Sequence, residues 1–196
     1  FFRSPFNSKN NLTYLHNVYH ENMKKYFNFG KYIIAVNMIG TDFQDRNNGS
    51  DQDSDSGYTT NQIDIVEHAR KCYMKYPTIV NNIPKDSNKY DNTMDDYAKI
   101  DNNLAGSQRD IGESSNIAQI AQTYACNFED QKYIDYVCIL SVLAQAAIDS
   151  AKRRFDIDIA DEIRRIKNDM DISEHKYPSF WRLIRPDTKL DKVNVN

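Results

Sequence analysis

Between Gly49 and Gly57 the chain reads Gly-Ser-Asp-Gln-Asp-Ser-Asp-Ser-Gly, with carboxylates at Asp51, Asp53 and Asp55. No other stretch limits the fold as strongly. Three like charges alternating within so short a run repel one another, and a folded chain tolerates them only in open solvent or around a cation. In an extended strand all three would share one face. In a tight loop they converge on one point, where a hard cation with oxygen ligands at about 2.1 Å is the natural partner. An acidic turn with no ligand is the plain alternative. A calcium loop is the sharper rival, with the pattern Asp-x-Asp-x-Asp-Gly and a glutamate at the twelfth position. Here the sixth position is Ser56 and the twelfth is Gln62, so the glycine comes one place late and the bidentate acid is missing.

The rest of the composition bounds the class. With 196 residues, 40% hydrophobic and 27% charged, the chain can bury a core as one domain, or as one domain with a helical appendage. A net charge of −3 argues against a free-standing nucleic-acid coat. It leaves room for a catalytic piece whose basic surfaces lie elsewhere. Cys72, Cys126 and Cys138 form neither a disulfide framework nor a zinc pattern. With no signal segment and no long apolar run, a reducing, cytoplasmic setting without a membrane is expected. The sequons Asn11-Leu-Thr13 and Asn48-Gly-Ser50 then carry no weight. The chain opens at Phe1-Phe-Arg3 and reads as part of something longer.

Periodicity predicts a helix from Leu12 to Phe27, stopped by Gly30, and a buried strand over Tyr32–Ile39. Thr41 to Gly57 is a polar loop and Tyr58–Thr60 a second short strand. Ile63–Tyr76 is expected to be helical up to Pro77, as are Thr93–Ser107, Ile117–Phe128 behind a cap at Ser114 or Ser115, Lys132–Phe155 and Ile159–Met170. The tail around Pro178, Trp181 and Pro186 is less regular. Two parts emerge, a β-containing segment over 1–62 and a helical region over 63–196.

Weaker signals stand beside the aspartates. His16 and His20 lie four apart on a predicted helix, but Asn17 replaces the glutamate of the metalloprotease motif, so a surface pair is the expectation. Lys152, Arg153 and Arg154 form a basic triplet that suits either a nucleic-acid backbone or the negative end of a helix.

Several blocks, in order, resemble the two-barrel RNA polymerases, that is, the silencing-type RNA-dependent RNA polymerases and their bacterial and phage relatives. These blocks are Arg3-Ser-Pro5, Asn10-Asn-Leu12, the apolar run ending at Gly40, the aspartate loop, Ile111-Gly-Glu-Ser-Ser-Asn116 and Ala147-Ile-Asp149-Ser-Ala-Lys152. The resemblance spans about Arg3 to Lys152. It implies an α+β fold in which residues 1–62 form part of a catalytic double-psi β-barrel and a helix crosses the cleft beside it. It also implies that Asp51, Asp53 and Asp55 hold a Mg²⁺ that activates an RNA 3′-hydroxyl, while a second Mg²⁺ arrives with the ribonucleoside triphosphate. The partners implied are an RNA or DNA template and a first barrel, on this or another chain, that holds the phosphates. Lys152, Arg153 and Arg154 would touch nucleic acid. Three departures stand out: Ser54 replaces the family glycine between the second and third aspartates, Arg153-Arg-Phe155 replaces a glycine after the lysine block, and the first barrel is missing, so the chain alone is not expected to be a working polymerase. A catalytically degenerate barrel that binds nucleic acid or a partner, and a calcium-stabilised structural domain, are the alternative readings.

Overall fold

The computed structural model describes residues 1–51, 53, 55–150, 153–172 and 183. Its architecture is helical. Strand β1 (Phe2–Arg3) is followed by a 3-10 turn (Lys9–Asn11) and by helices α1 (Glu21–Tyr26) and α2 (Phe43–Arg46). Strand β2 (Gly57–Tyr58) comes next, then helices α3 (Ile63–Lys75), α4 (Met94–Phe128), α5 (Gln131–Asp149) and α6 (Ile159–Asp169).

The core is a hairpin of α4 and α5 closed by α6. Ile117, Ile120, Ala121 and Tyr124 recur at helical spacing on α4, and Val137, Leu140, Ala144 and Ala147 do so on α5. Each set forms one apolar stripe, and the two stripes bury each other. Ile163, Ile166 and Met170 from the α6 side complete the cluster. Each fully buried Leu, Ile or Val contributes about 1.5–3 kcal/mol to folding. The hairpin turn is tight because Glu129 takes a left-handed conformation (φ 53°) and the Asp130 carboxylate caps α5 by accepting from Lys132 N at 2.9 Å. Asp158 caps α6 in the same way through Asp161 N, and Lys167 ties α6 to Glu113 of α4 at 3.0 Å.

The predicted break between Ser107 and Ile117 is absent, and α4 runs through it. Ser115 does not cap a new helix; its hydroxyl donates back to the Ile111 carbonyl at 2.8 Å, a bond available in mid-helix. Gly112 therefore sits inside the helix, exposed, and a Cβ built there meets nothing within 4 Å. Gly112→Ala is expected to raise stability by about 0.5–1 kcal/mol, since it removes unfolded-state entropy at no steric cost. Urea denaturation checks this, and an unchanged or lower midpoint would contradict an unbroken helix here.

The expected α+β fold is corrected. Among the described residues there is no double-psi β-barrel; the sheet is one antiparallel pair, with Phe2 opposite Tyr58 and Arg3 opposite Gly57. The run Tyr32–Ile39 forms no strand, and Tyr32 and Ile39 are 96% and 89% exposed. Its sequence suits a strand covered on both faces, and such a strand needs neighbours on both edges. No described segment provides them. The helix expected over Leu12–Phe27 contracts to α1. Leu12 instead joins a small cluster with Ala69 and Cys72 of α3, rimmed by Phe2 and Tyr76. Val18 and Tyr19, counted as core positions, lie 77% and 76% exposed. A short helix without a packing surface is marginal in water.

The remaining helices match their sequence signals closely. Helix α3 ends one residue before Tyr76, and α5 stops at Asp149, short of Phe155. Phe155 pairs instead with Lys85 in an isolated antiparallel bridge, which Asp86 N and Asp156 N extend by donating to the Arg154 and Pro84 carbonyls. Most of the tail, including Pro178, Trp181 and Pro186, lies outside the described residues. No described helix is long and apolar enough to cross a membrane.

Candidate metal centre

The aspartate loop is built on a buried polar platform. Arg46, at the end of α2, is 3% exposed. Its guanidinium donates to the Asn10 carbonyl at 3.0 Å, to the Tyr76 carbonyl at 3.1 Å and to the Asp42 carboxylate at 3.4 Å, and it lies 4.5 Å over the Tyr73 ring. Around it, Asn11 Nδ2 donates to the Arg46 carbonyl, and Asn47 Nδ2 donates to the Thr13 hydroxyl and the Phe43 carbonyl. Asn7, Asn10, Asn11, Thr13, Asn47, Asn48 and Ser50 are all buried. Hydrogen bonds replace water for the Arg46 guanidinium and for the amide nitrogens of Asn10, Asn11, Asn47 and Asn48, while Asn7 Nδ2, Asn11 Oδ1, Asn47 Oδ1 and Ser50 Oγ are buried without a partner. The platform therefore ties the N-terminal segment, α2 and the end of α3 into one unit.

Two left-handed residues turn the chain off this platform into the loop. Asn48 (φ 57°) is held by its side chain on the Pro5 carbonyl at 2.8 Å, and Gly49 follows at φ 66°. At Gly49 the backbone lies directly on α5: a Cβ there would fall 2.0 Å from Gln145 Nε2. The backbone conformation disfavours any side chain there, and one would also push the Gln145 amide aside. At the far end, Gly57 packs under the Phe1 ring, which a Cβ would strike at 2.1 Å.

Arg3 binds the two ends of the loop together. From β1 it donates to the carbonyls of Asn47 and Asn48, both at 3.3 Å, and it forms an ion pair with Asp55. The other oxygen of Asp55 accepts from Asp51 N at 2.9 Å. One carboxylate of each of Asp51, Asp53 and Asp55 then lies within 4.8 Å of the others. Asp51 and Asp53 are exposed, and Asp55 is half-buried.

Three oxygen donors of this kind could hold a hard divalent cation. A six-coordinate Mg²⁺ with oxygens at about 2.1 Å asks for ligand atoms roughly 3–4 Å apart. Either a Mg²⁺ or a calcium ion on these three carboxylates would need waters to complete its shell, and Gln62 at the twelfth loop position lacks the bidentate acid of a calcium loop.

The other sequence candidates are placed differently. Arg154 lies 3.0 Å from Asp86 and over the Tyr90 ring at 5.1 Å, so it is engaged within the chain. Arg153 is exposed beside Phe155. Lys152 lies outside the described residues. His16 and His20 do not share a helix, since α1 begins at Glu21. Cysteine chemistry is not promoted: burial pushes the Cys138 thiol up, and burial also raises Cys72, against the pull of Lys9, Lys75 and Arg46. An apolar cleft of about 560 Å³ lies elsewhere, between Phe2, Phe6, Leu12 and Ile65 on one side and Gln119 and Gln122 on the other.

Arg46 and Asp42 were not singled out by sequence reasoning, and Arg3 entered only as part of the Arg3-Ser-Pro5 block. The available signal was an unusual density of asparagine around Arg46, at Asn10, Asn11, Asn47 and Asn48. Asp42 has a pH consequence. Partial burial raises its carboxyl, but the Thr78 hydroxyl, the Arg46 guanidinium and the local backbone outweigh that and hold it below the ordinary carboxylate value. A depressed folded value means stability that is present above the unfolded value and lost as pH falls through the folded one. The chain is therefore expected to lose stability on acidification below about pH 4, and Asp42→Asn to flatten that part of the profile. Thermal melts between pH 2.5 and 6 check it, and parallel profiles for the two proteins would contradict it.

Comparison with protein-family models, with curated proteins and with solved structures finds no match for this chain.

Proposed function

We propose that Asp51, Asp53 and Asp55 hold Mg²⁺ and that the protein is a nucleotidyltransferase, joining ribonucleoside triphosphates into RNA on an RNA or DNA template. The observation that carries this reading is the convergence of the three carboxylates on a loop anchored at both ends. The order of the sequence blocks adds to it. The reading rests on the loop, and no barrel is required of the described residues.

When bound, Mg²⁺ would ease the build-up of negative charge on the attacking 3′-oxygen and on the leaving pyrophosphate. The chain's own part is positional. Arg3 holds Asp55 and the carbonyls of Asn47 and Asn48 in place. Helix α5 supports the loop from behind through Gln145. Basic groups for the triphosphate would come from another polypeptide segment, since Arg154 is committed to Asp86. Nucleotide incorporation on a primed template, in the complete assembly in which this chain works, tests the reading. Asp53→Asn is expected to abolish incorporation, and undiminished synthesis by that variant would overturn it.

One observation favours a second reading, a degenerate site that binds without catalysis. Both oxygens of Asp55 already have partners, in Arg3 and Asp51 N. Metal binding without any incorporation by the complete assembly would support that reading instead.

A further inference from the structure

The cleft of about 560 Å³ between the N-terminal segment, α3 and α4 has no part in the aspartate loop. Its volume lies within the roughly 300–1,000 Å³ usual for small-molecule sites. Phe2, Phe6, Leu12 and Ile65 give it an apolar wall, with the Phe2 and Phe6 rings tilted against each other at 5.4 Å. Phe6 and Ile65 are 43% and 39% exposed, so this surface is open to an entering apolar group.

The polar groups of the cleft decide what kind of molecule fits. Several are spent within the chain. The Ser8 hydroxyl donates to Asn10 Oδ1, the Thr123 hydroxyl donates to the Gln119 carbonyl, and His68 Nε2 lies 3.3 Å from Cys72 Sγ. Two donors are left over. Asn7 is 6% exposed, and its Nδ2 has no hydrogen-bond partner among the described residues. Lys9 pairs with no carboxylate among the described residues; its ammonium has only weak contacts, with the Cys126 sulfur at 4.0 Å and the Tyr76 ring at 5.7 Å.

Both leftover groups are donors, and one is charged. A buried amide N–H without an acceptor is costly, and an ammonium beside apolar surface favours an anion. Among the described residues no Asp or Glu lines the cleft. The charges around it agree in sign: those that act on Cys72, one helical turn from His68, belong to Lys9, Lys75 and Arg46. A cation would be repelled here, and a wholly apolar molecule would leave both donors unmet. We propose that this cleft binds a small carboxylic acid in its ionised form, with an apolar body against Phe2, Phe6, Leu12 and Ile65 and the carboxylate at Lys9. The inference is independent of the function proposed for the aspartate loop.

Octanoate is a suitable probe, with octanol and octylammonium as its neutral and cationic counterparts. Titration of the full chain followed by two-dimensional amide NMR reads both affinity and place. Saturable shifts are expected with octanoate, largest around Lys9, Ile65 and Gln122. Octanol should bind about tenfold more weakly, the difference that one hydrogen bond to a charged group makes, and octylammonium should not bind. Lys9→Met keeps the apolar stem and removes the charge. It should lower the affinity for octanoate to that for octanol and leave octanol unaffected. Ile65→Trp, at an exposed position, puts a larger ring into the cleft and should abolish binding of both. Unchanged signals outside the cleft show that each variant is folded. The absence of any saturable shift with octanoate would overturn the inference, as would equal affinities for octanoate and octanol in the wild type. So would shifts centred away from the cleft, or octanoate binding that survives Ile65→Trp, since another surface would then be in use.

Discussion

Arg46→Met is expected to destabilise the chain by about 3 kcal/mol, the largest effect of any substitution outside the helical core. Methionine fills much of the volume of the arginine stem, so the loss is mainly polar. The carbonyl of buried Asn10 loses its donor at 3.0 Å, and that of half-buried Tyr76 loses its donor at 3.1 Å. An unsatisfied buried acceptor costs about 1–3 kcal/mol. Asp42 loses its partner as well, but it is 40% exposed and water compensates for much of that. Stacking on Tyr73 is weakened too. For a chain of this length the change corresponds to a fall in melting temperature of roughly 6–12 °C. Arg46→Lys should recover only part of it, because an ammonium cannot reach three divergent acceptors in the plane of a guanidinium. Urea denaturation of the three proteins decides the matter. A loss below about 0.5 kcal/mol for Arg46→Met would mean that the platform does not hold the fold together.

Asp53→Asn is the second large effect, and its signs differ with and without metal. Without metal, the substitution removes one of three mutually repelling charges and should leave stability unchanged or slightly higher. With metal, it removes a charged ligand. Loss of a group that only supports a ligand typically costs 10–100-fold in metal affinity, so loss of a ligand should cost at least about 100-fold. If Mg²⁺ is present at 100 times its dissociation constant, binding stabilises the wild type by about 2.7 kcal/mol, and nearly all of this should vanish in the variant. Thermal melts with and without 10 mM Mg²⁺, in both proteins, separate the two effects. A variant destabilised equally with and without metal would assign Asp53 a structural role only.

The helical half of the molecule was legible because its signals are local. Apolar residues three and four apart on α4, α5 and α6, with aspartates positioned to cap α5 and α6, specify helices that need only one another. The N-terminal part was not legible for the opposite reason. Tyr32–Ile39 carries the composition of a buried strand, yet burial depends on partners that no local pattern encodes, and none is present among the described residues. The same limit explains the mistaken break in α4. A serine can cap a helix or bond back within one, and packing of the flanking turns decides between them. Ser114 is buried in the middle of α4, so here packing favoured continuity.

For the candidate site, the three aspartates could be read from their spacing, and the structure draws their carboxylates together. What surrounds them could not be read. Arg3 is distant in sequence from Asp55 and meets it only because β1 pairs with β2. Gln145 meets Gly49 only because α5 passes behind the loop. Such meetings depend on tertiary arrangement, as does the pairing of Arg154 with Asp86.

Anomalous scattering from crystals soaked in Mn²⁺ tests the central claim most directly. The expected result is a single strong peak about 2.2 Å from carboxylate oxygens of Asp51, Asp53 and Asp55, with waters completing an octahedron. A loop in which Asp55 keeps its bond to Arg3, with no peak near the three aspartates while manganese appears elsewhere in the crystal, would contradict it.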